Sequence, residues 1–392
     1  MGIDVSRGLA VLGMFVVHVG VGWTLTDGSN ALYPVTAGRA AGLFALLAGV
    51  SIALLSGGSQ PPTGQAMGVA LWRIVVRGLL MLPVGAALTL LNTPVSVILA
   101  YYAIFFVLAV PLLQERWKVV ATVTVVLGVL GPVTSFYLRA IITEGGPLGT
   151  GVAMINALDP LEVYVGEGVV DLVLTGAYPA ITWLPFVLAG LAVGRLNLGS
   201  RRVQLWLVTL GITTATLAYT ASWVALWRLG GAERLAGATD PASGQVFGQA
   251  GVAEALYVGF PGVQLPTSDW AWLLVAAPHS GTPFEVFGVI GVGLAVLGMC
   301  LLVAPYLRWV LYPLASVGAL ALTVYVAHVL LMYVAEQGWL EGTRLAVVTD
   351  NLSWSVLGGS LLLASVWRLV ARRGPLEGPL HVVSLWVARR IP

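Results

Sequence analysis

Phe284-Glu-Val-Phe-Gly-Val-Ile-Gly-Val-Gly-Leu-Ala-Val-Leu-Gly-Met-Cys-Leu-Leu-Val-Ala304 carries a single charged residue, Glu285, in its first turn. A helix that crosses a bilayer needs about 20 predominantly apolar residues, and this stretch meets that length without interruption. Runs of the same kind recur at residues 8 to 26, 40 to 57, 67 to 91, 95 to 113, 117 to 138, 178 to 195, 204 to 228, 312 to 335 and 352 to 371. Together they predict an all-α, polytopic integral membrane protein with about ten transmembrane helices.

Composition points the same way. The chain has 392 residues, of which 58% are apolar and 9% charged, with a mean hydropathy of +0.93. Soluble domains carry roughly 25% charged residues, so this chain cannot clothe a globular surface in charge. A cytosolic enzyme, a nucleic-acid module built on a basic patch and a disordered or fibrous chain are excluded. The sole cysteine, Cys300, sits in an apolar run, which excludes an intramolecular disulfide framework and a CxxC metal site. One Lys, Lys118, stands against many Arg, a bias typical of GC-rich bacterial genomes. The expected location is therefore a bacterial plasma membrane. The first run has no basic cluster before it and no small-residue cleavage site after it, so it reads as a retained helix rather than a removed signal.

Lys and Arg concentrate on the cytoplasmic side of a membrane. With a cytoplasmic N-terminus and ten spans, 14 of the 19 basic residues fall inside, including Arg7, Arg73, Arg77, Arg195, Arg372 and Arg373. Of the 17 acids, only Asp4, Glu115 and Glu377 join them. Both termini are thus expected in the cytoplasm. Two long loops, residues 139 to 177 and 229 to 283, would lie outside and cover one end of the bundle. Residues 1–373 form the helical domain. Residues 374–392 form a cytoplasmic tail, with Leu380, Val383, Trp386 and Val387 at helical spacing beside Arg389 and Arg390, as in an amphipathic surface helix. Internal repetition is weak: Leu47-Ala48-Gly49 and Leu188-Ala189-Gly190 match, but their spacings from preceding Tyr-Pro pairs differ.

The first helix carries the sharpest chemical signal. Asp4, Arg7, Met14 and His18 share one face, and His18 lies about 16 Å beyond Arg7, near mid-membrane. An ionisable residue at that depth marks function by default, although a neutral His can also tie helices together while Asp4 and Arg7 pair.

Asp4-x-x-Arg7-Gly followed by an apolar stretch to His18 resembles the opening of the transmembrane acyltransferases. The nearest resemblance is to the YeiB-like and heparan-α-glucosaminide N-acetyltransferase-like proteins of Actinobacteria. Five further segments agree in order: Ala37-Gly-Arg39-Ala-Ala-Gly-Leu-Phe44, Thr93-Pro94-Val-Ser-Val-Ile-Leu-Ala-Tyr101-Tyr102, Leu174-Thr-Gly-Ala-Tyr178-Pro-Ala-Ile-Thr-Trp183, Pro278-His279-Ser-Gly-Thr-Pro283 and Ala321-Leu-Thr-Val-Tyr-Val-Ala-His328. The resemblance implies transfer of an acyl group, commonly acetyl from acetyl-CoA, to an extracytoplasmic acceptor such as a cell-envelope glycan or glycolipid. In one branch of that superfamily the loop after the first helix can carry a His tied to acetyl transfer. Residues Gly22 to Gly38 contain none here, which favours direct transfer.

Acyl transfer needs a proton acceptor of near-neutral pKa and donors for a developing oxyanion. His18 is the candidate base, with His279 next and Arg39 for charge stabilisation. Arg7, Arg73 and Arg77 would meet the phosphates of acyl-CoA. Asp4, Tyr178, Glu285 and His328 are candidates for substrate contact. Each has a plainer reading: positive-inside charge for the arginines, aromatic-belt placement for Tyr178, a turn for His279 and helix contact for His328. No Walker A loop, HExxH pair or Cys/His cluster is present, so no metal is expected. Membrane lipids are expected partners and a homodimer is compatible, but nucleic acid is not. A transporter or flippase, or a non-catalytic scaffold for envelope assembly, would use the same intramembrane polar residues without covalent chemistry.

Overall fold

The computed structural model describes residues 1–20, 31–239 and 244–391. In chain order the helices are α1 (Gly2–Val19), α2 (Tyr33–Thr36), α3 (Arg39–Leu55), α4 (Gln65–Thr89), α5 (Tyr101–Ala109), α6 (Trp117–Thr143), α7 (Gly146–Leu158), α8 (Pro160–Val165) and α9 (Ala180–Gly194). They continue as α10 (Arg201–Trp227), α11 (Gly231–Ala236), α12 (Gly248–Val258), α13 (Pro283–Val303), α14 (Tyr312–Ala319), α15 (Ala321–Glu336), α16 (Ala346–Asp350), α17 (Leu352–Val370) and α18 (Glu377–Ala388). Among the described residues there is no strand, only one isolated bridge between Thr239 and Val246.

Every apolar run contributes a helix among the described residues, but the runs are not equal. Among the described residues, seven helices are long and apolar enough to cross a bilayer, counting α2 and α3 as one, and the bent pair α14–α15 makes eight. The runs at 95 to 113 and 178 to 195 yield only the shorter helices Tyr101–Leu112 and Ala180–Gly194. The chain is a multi-pass membrane protein.

α3 and α9 pack side by side in the main core. A Cβ on Gly49 would run into the Val187 carbonyl, and one on Gly190 would run into that of Leu46. The two Leu-Ala-Gly triads are therefore the two halves of one close helix crossing, where small residues let backbones touch without a hydrophobic drive between them. Arg195, which closes α9, is buried and donates to the Ala53, Ser56 and Gly58 carbonyls, at and just beyond the end of α3.

The run at 312 to 335 breaks at Leu320, where α14 and α15 meet at 82°. Irregular backbone at membrane depth survives only where it is buried or lines a cavity and its polar groups are satisfied. Here Arg7 Nη1 donates to the Gly318 carbonyl at 3.1 Å, serving the end of α14. Glu377 Oε1 accepts from the Thr323 N–H at 3.0 Å, serving the start of α15. Both groups come from distant parts of the chain.

The described residues of the segment 229 to 283, namely 229–239 and 244–283, fold into a cap. α11, α12 and a short 3-10 turn, Trp270–Leu274, close around a second apolar cluster that includes Phe136, Leu226, Leu235, Phe260 and the fully buried Trp272. At the opposite end, α18 packs along α4, burying Leu380, Ser384 and Ala388 while Val383 and Trp386 remain exposed. The expected tail helix exists, but the face it buries against the bundle is not the stripe read from its spacing.

Candidate functional site

Two cavities lie along the Arg7–His18 face of α1. The first, about 470 Å³, collects Arg7, Arg73, Arg77, Arg373, Glu377 and His381, with Phe44, Tyr102 and Phe106 on its apolar inner wall. It also includes Gly318, Ala319, Ala321 and Leu322, so the helix break opens onto it. The N-terminal end of α15 faces the same cavity, with Glu377 accepting from its Thr323 N–H.

Each arginine is held differently. Arg7 is fixed by Asp4 Oδ1 at 3.3 Å, the Gly318 carbonyl at 3.1 Å and Ser51 Oγ at 2.9 Å. Arg73 Nη2 donates to His381 Nδ1 at 2.9 Å. A guanidinium only donates, so His381 must accept at Nδ1 and be neutral. Burial, then the charges of Arg373, Arg73 and Arg77, push its pKa below the ordinary imidazole value, in agreement. Arg77 forms no hydrogen bond or ion pair among the described residues, and Arg73 Nε and the Tyr102 hydroxyl are buried without partners. Buried donors left open beside an excess of cationic charge suit an anionic ligand with an apolar portion.

The second cavity, about 20 Å³, is lined by Met14, His18, Gly38, Ala41, Tyr178, His279 and Tyr325. It is large enough for a single water. His18 Nδ1 lies 3.1 Å from His328 Nε2, and His328 Nδ1 lies 2.5 Å from the Tyr325 carbonyl. That carbonyl can only accept, so His328 carries its proton on Nδ1 and accepts at Nε2. His18 therefore donates from Nδ1, and its Nε2 lone pair is the basic atom left for the cavity. Phe15 and Tyr325 sandwich the His328 ring.

His279 enters from the loop before α13. Its φ of 59° is left-handed, a rare conformation for a residue with a Cβ. Glu285 holds it there: its carboxylate accepts from the His279 N–H at 2.5 Å, the Gly281 N–H at 2.6 Å and Ser280 Oγ at 3.2 Å. Thr282 caps α13 by accepting from the Glu285 N–H at 3.2 Å. Thr282-Pro-Phe-Glu285 has the sequence of a capping box but makes only its first half, because the Glu285 carboxylate turns to the amides of the preceding loop instead of the Thr282 N–H. Gly38, at φ 71°, fits against this turn: a Cβ there would sit 3.0 Å from Glu285 Oε1 and 3.3 Å from the His279 nitrogen. The His279 ring lies against Trp183 and Tyr178. Burial, then Arg39, push its pKa down to about 4, so it is neutral, with Nδ1 buried and unpartnered.

The candidates thus divide. Arg7, Arg73 and Arg77 meet in one cavity, and His18, His279 and Tyr178 line the other. Four residues take roles other than those expected. Asp4 pairs with Arg7 and the Met1 amino group and does not line the cavity. His328 does not face the water-sized cavity but holds His18. Glu285 is consumed in positioning His279. Arg39 lies over the Tyr219 ring at 5.2 Å and donates to the Ala37 carbonyl at 3.1 Å, acting on His279 through its charge rather than by contact. The Tyr178 hydroxyl donates to the Ser96 carbonyl, so this residue offers its ring and not its hydroxyl. Arg373 and His381 were missed because no spacing rule links the tail to α4. No group of three or more His, Cys, Asp or Glu residues able to hold a metal occurs among the described residues. Residues 21–30 of the loop after α1 lie outside them.

No protein-family model matches this chain, and no curated protein matches it in sequence.

Proposed function

We propose that this protein is a membrane acyltransferase. It would take an acyl group, most simply acetyl, from acyl-CoA in the arginine cavity and pass it to a hydroxyl or amine of a cell-envelope sugar or glycolipid at the His18 end. The observation that supports this most is the pairing of cavities on one face of α1: a cationic cavity at Arg7 and, about 16 Å along the helix, an imidazole whose Nε2 is left for a water-sized cavity.

In this reading Arg73, Arg77, Arg373 and Arg7 hold the donor phosphates, and the apolar wall of Phe44, Tyr102 and Phe106 takes the arm that carries the thioester. The acceptor oxygen or nitrogen attacks the thioester carbonyl, and its proton passes to His18 Nε2. The carbon–sulfur bond breaks as the new ester or amide forms, and the proton leaves with the thiolate, so CoA departs as the thiol. His328 fixes the His18 tautomer through a backbone carbonyl, as a positioning residue. With all ten apolar helices counted as spans and both termini cytoplasmic, the arginine cavity opens to the cytoplasm, where acyl-CoA is made. His18 then lies toward the outer half of the bacterial cell membrane.

A second reading is an anion transporter. The broken span α14–α15, with helix ends turned toward a cationic cavity, is the kind of discontinuity transporters use to hold substrate. Proteoliposomes carrying envelope lipids and acetyl-labelled acetyl-CoA separate the two. Thiol release with label appearing in lipid, abolished in His18→Ala, supports transfer. Passage of an anion across the bilayer without thiol release would replace it by transport.

A further inference from the structure

α17 is the least embedded of the long helices: among the described residues only Val356 and Ala364 are buried on it. Between α17 and α15 lies a third cavity of about 190 Å³, walled by Ala327, His328 and Leu331 on one side and Gly359, Leu363 and Trp367 on the other. We propose that this groove binds one acyl chain of an anionic membrane phospholipid, with the headgroup at its Arg372–Arg373 end.

Four observations carry this. The groove is bounded by helices of the membrane-spanning region, and its wall is almost wholly apolar. An unfilled apolar gap forfeits the dispersion contacts of its lining, and alkyl chains are what a bilayer supplies to fill it. Its length also fits. The lining residues on α17 run from Ser355 to Trp367, about 18 Å of helix, against roughly 15 Å for half of a hydrocarbon core about 30 Å thick.

The groove has polarity as well. At one end Trp367 Nε1 donates to the Arg373 carbonyl at 2.9 Å, and Arg372 and Arg373 are exposed beside it. Arg373 lines the arginine cavity, which leaves the Arg372 guanidinium beside an interfacial Trp, and such a pair is what a phosphate headgroup meets at a membrane surface. Finally, the inner wall carries His328, whose Nε2 accepts from His18, so a chain in the groove backs the imidazole pair from the bilayer side. The site stands whether or not the protein transfers acyl groups.

Gly359 supplies the test, because a Cβ there would meet no atom within 4 Å. Gly359→Leu therefore grows into the groove without a clash and occupies it. Purified protein is delipidated and returned to detergent micelles containing either dioleoylphosphatidylglycerol or dioleoylphosphatidylcholine. Retained lipid is counted by native mass spectrometry, and melting is followed in parallel. The expected result is one phosphatidylglycerol kept per chain under conditions that strip phosphatidylcholine, with a raised Tm. Gly359→Leu should lose both effects while melting no lower than the lipid-free wild type, and Arg372→Gln should lose the preference between headgroups. Ser360→Leu, a second plug on the same wall, replaces Gly359→Leu if that variant does not fold. Undiminished retention in the plugged variant would overturn the proposal. So would equal retention of both lipids by the wild type, or a dimer that buries the groove against a second copy.

Discussion

The two ends of the α1 face differ in almost every physical respect. At Arg7 the cavity is about 470 Å³, lined by four arginines and completed by a tail helix from the far end of the chain. At His18 it is about 20 Å³, lined by neutral imidazoles and tyrosines, next to a turn that Glu285 holds in place. Tyr102 and Phe44 belong to the first, Tyr325 and Ala41 to the second. A lining rich in guanidiniums suits charge, and one of imidazoles and tyrosines around a water-sized space does not. Binding and chemistry can then be impaired separately, which makes the comparison breakable.

The largest expected effect is at the His18 end. His18→Ala should lower transfer by roughly a hundred- to ten-thousand-fold, the usual contribution of general acid–base catalysis, with donor binding by thermal shift unchanged. At the Arg7 end, Arg77→Gln removes a guanidinium that has no hydrogen-bond or ion-pair partner among the described residues. It should cost about 1.5–3 kcal/mol of donor affinity, ten- to a hundredfold in Kd, with little change in the Tm of the ligand-free protein. Glu285→Gln sharpens the contrast, because an amide accepts fewer hydrogen bonds than the three this carboxylate receives. A destabilisation of about 1–3 kcal/mol should appear in melting, together with loss of transfer but not of donor binding. Tyr102→Phe should weaken the donor by only a few-fold and leave the ligand-free protein as stable or slightly more so, since the hydroxyl it removes is buried and unpartnered.

The smallest effect concerns acidity. The folded protein holds His381 below its ordinary pKa, so below about pH 6.5 the unfolded chain binds the proton more readily and stability falls. Melting followed from pH 7.5 to 5 should show this slope in the wild type and a shallower one in His381→Phe.

Much of this architecture is readable from sequence, for reasons that can be named. Apolar runs report helices in a membrane because the backbone must satisfy itself there, and each of the ten runs contributes a helix among the described residues. The break at Leu320 is not readable. No Pro or Gly stands at that residue, and the break is held by Arg7 and Glu377, 313 and 57 positions away along the sequence. The loop 229 to 283 looks unpatterned because its core is assembled from single residues such as Trp272 and Phe260, not from a period. The Asp4–Arg7–Met14–His18 face was legible because helical spacing alone defines it. The His18–His328 pair was not, since it joins two helices with no sequence relation to each other, and Arg373 and His381 reach the cavity only through the docking of α18 on α4.

The central claim is that the two cavities are ends of one path for a thioester. Photo-crosslinking with a CoA thioester bearing a diazirine at its acyl end tests it directly. The account predicts label on Met14, His18 or Tyr325, displaced by free CoA and lost in Arg77→Gln. Label confined to the lipid-facing surface, or label near His18 that free CoA does not displace, would contradict it.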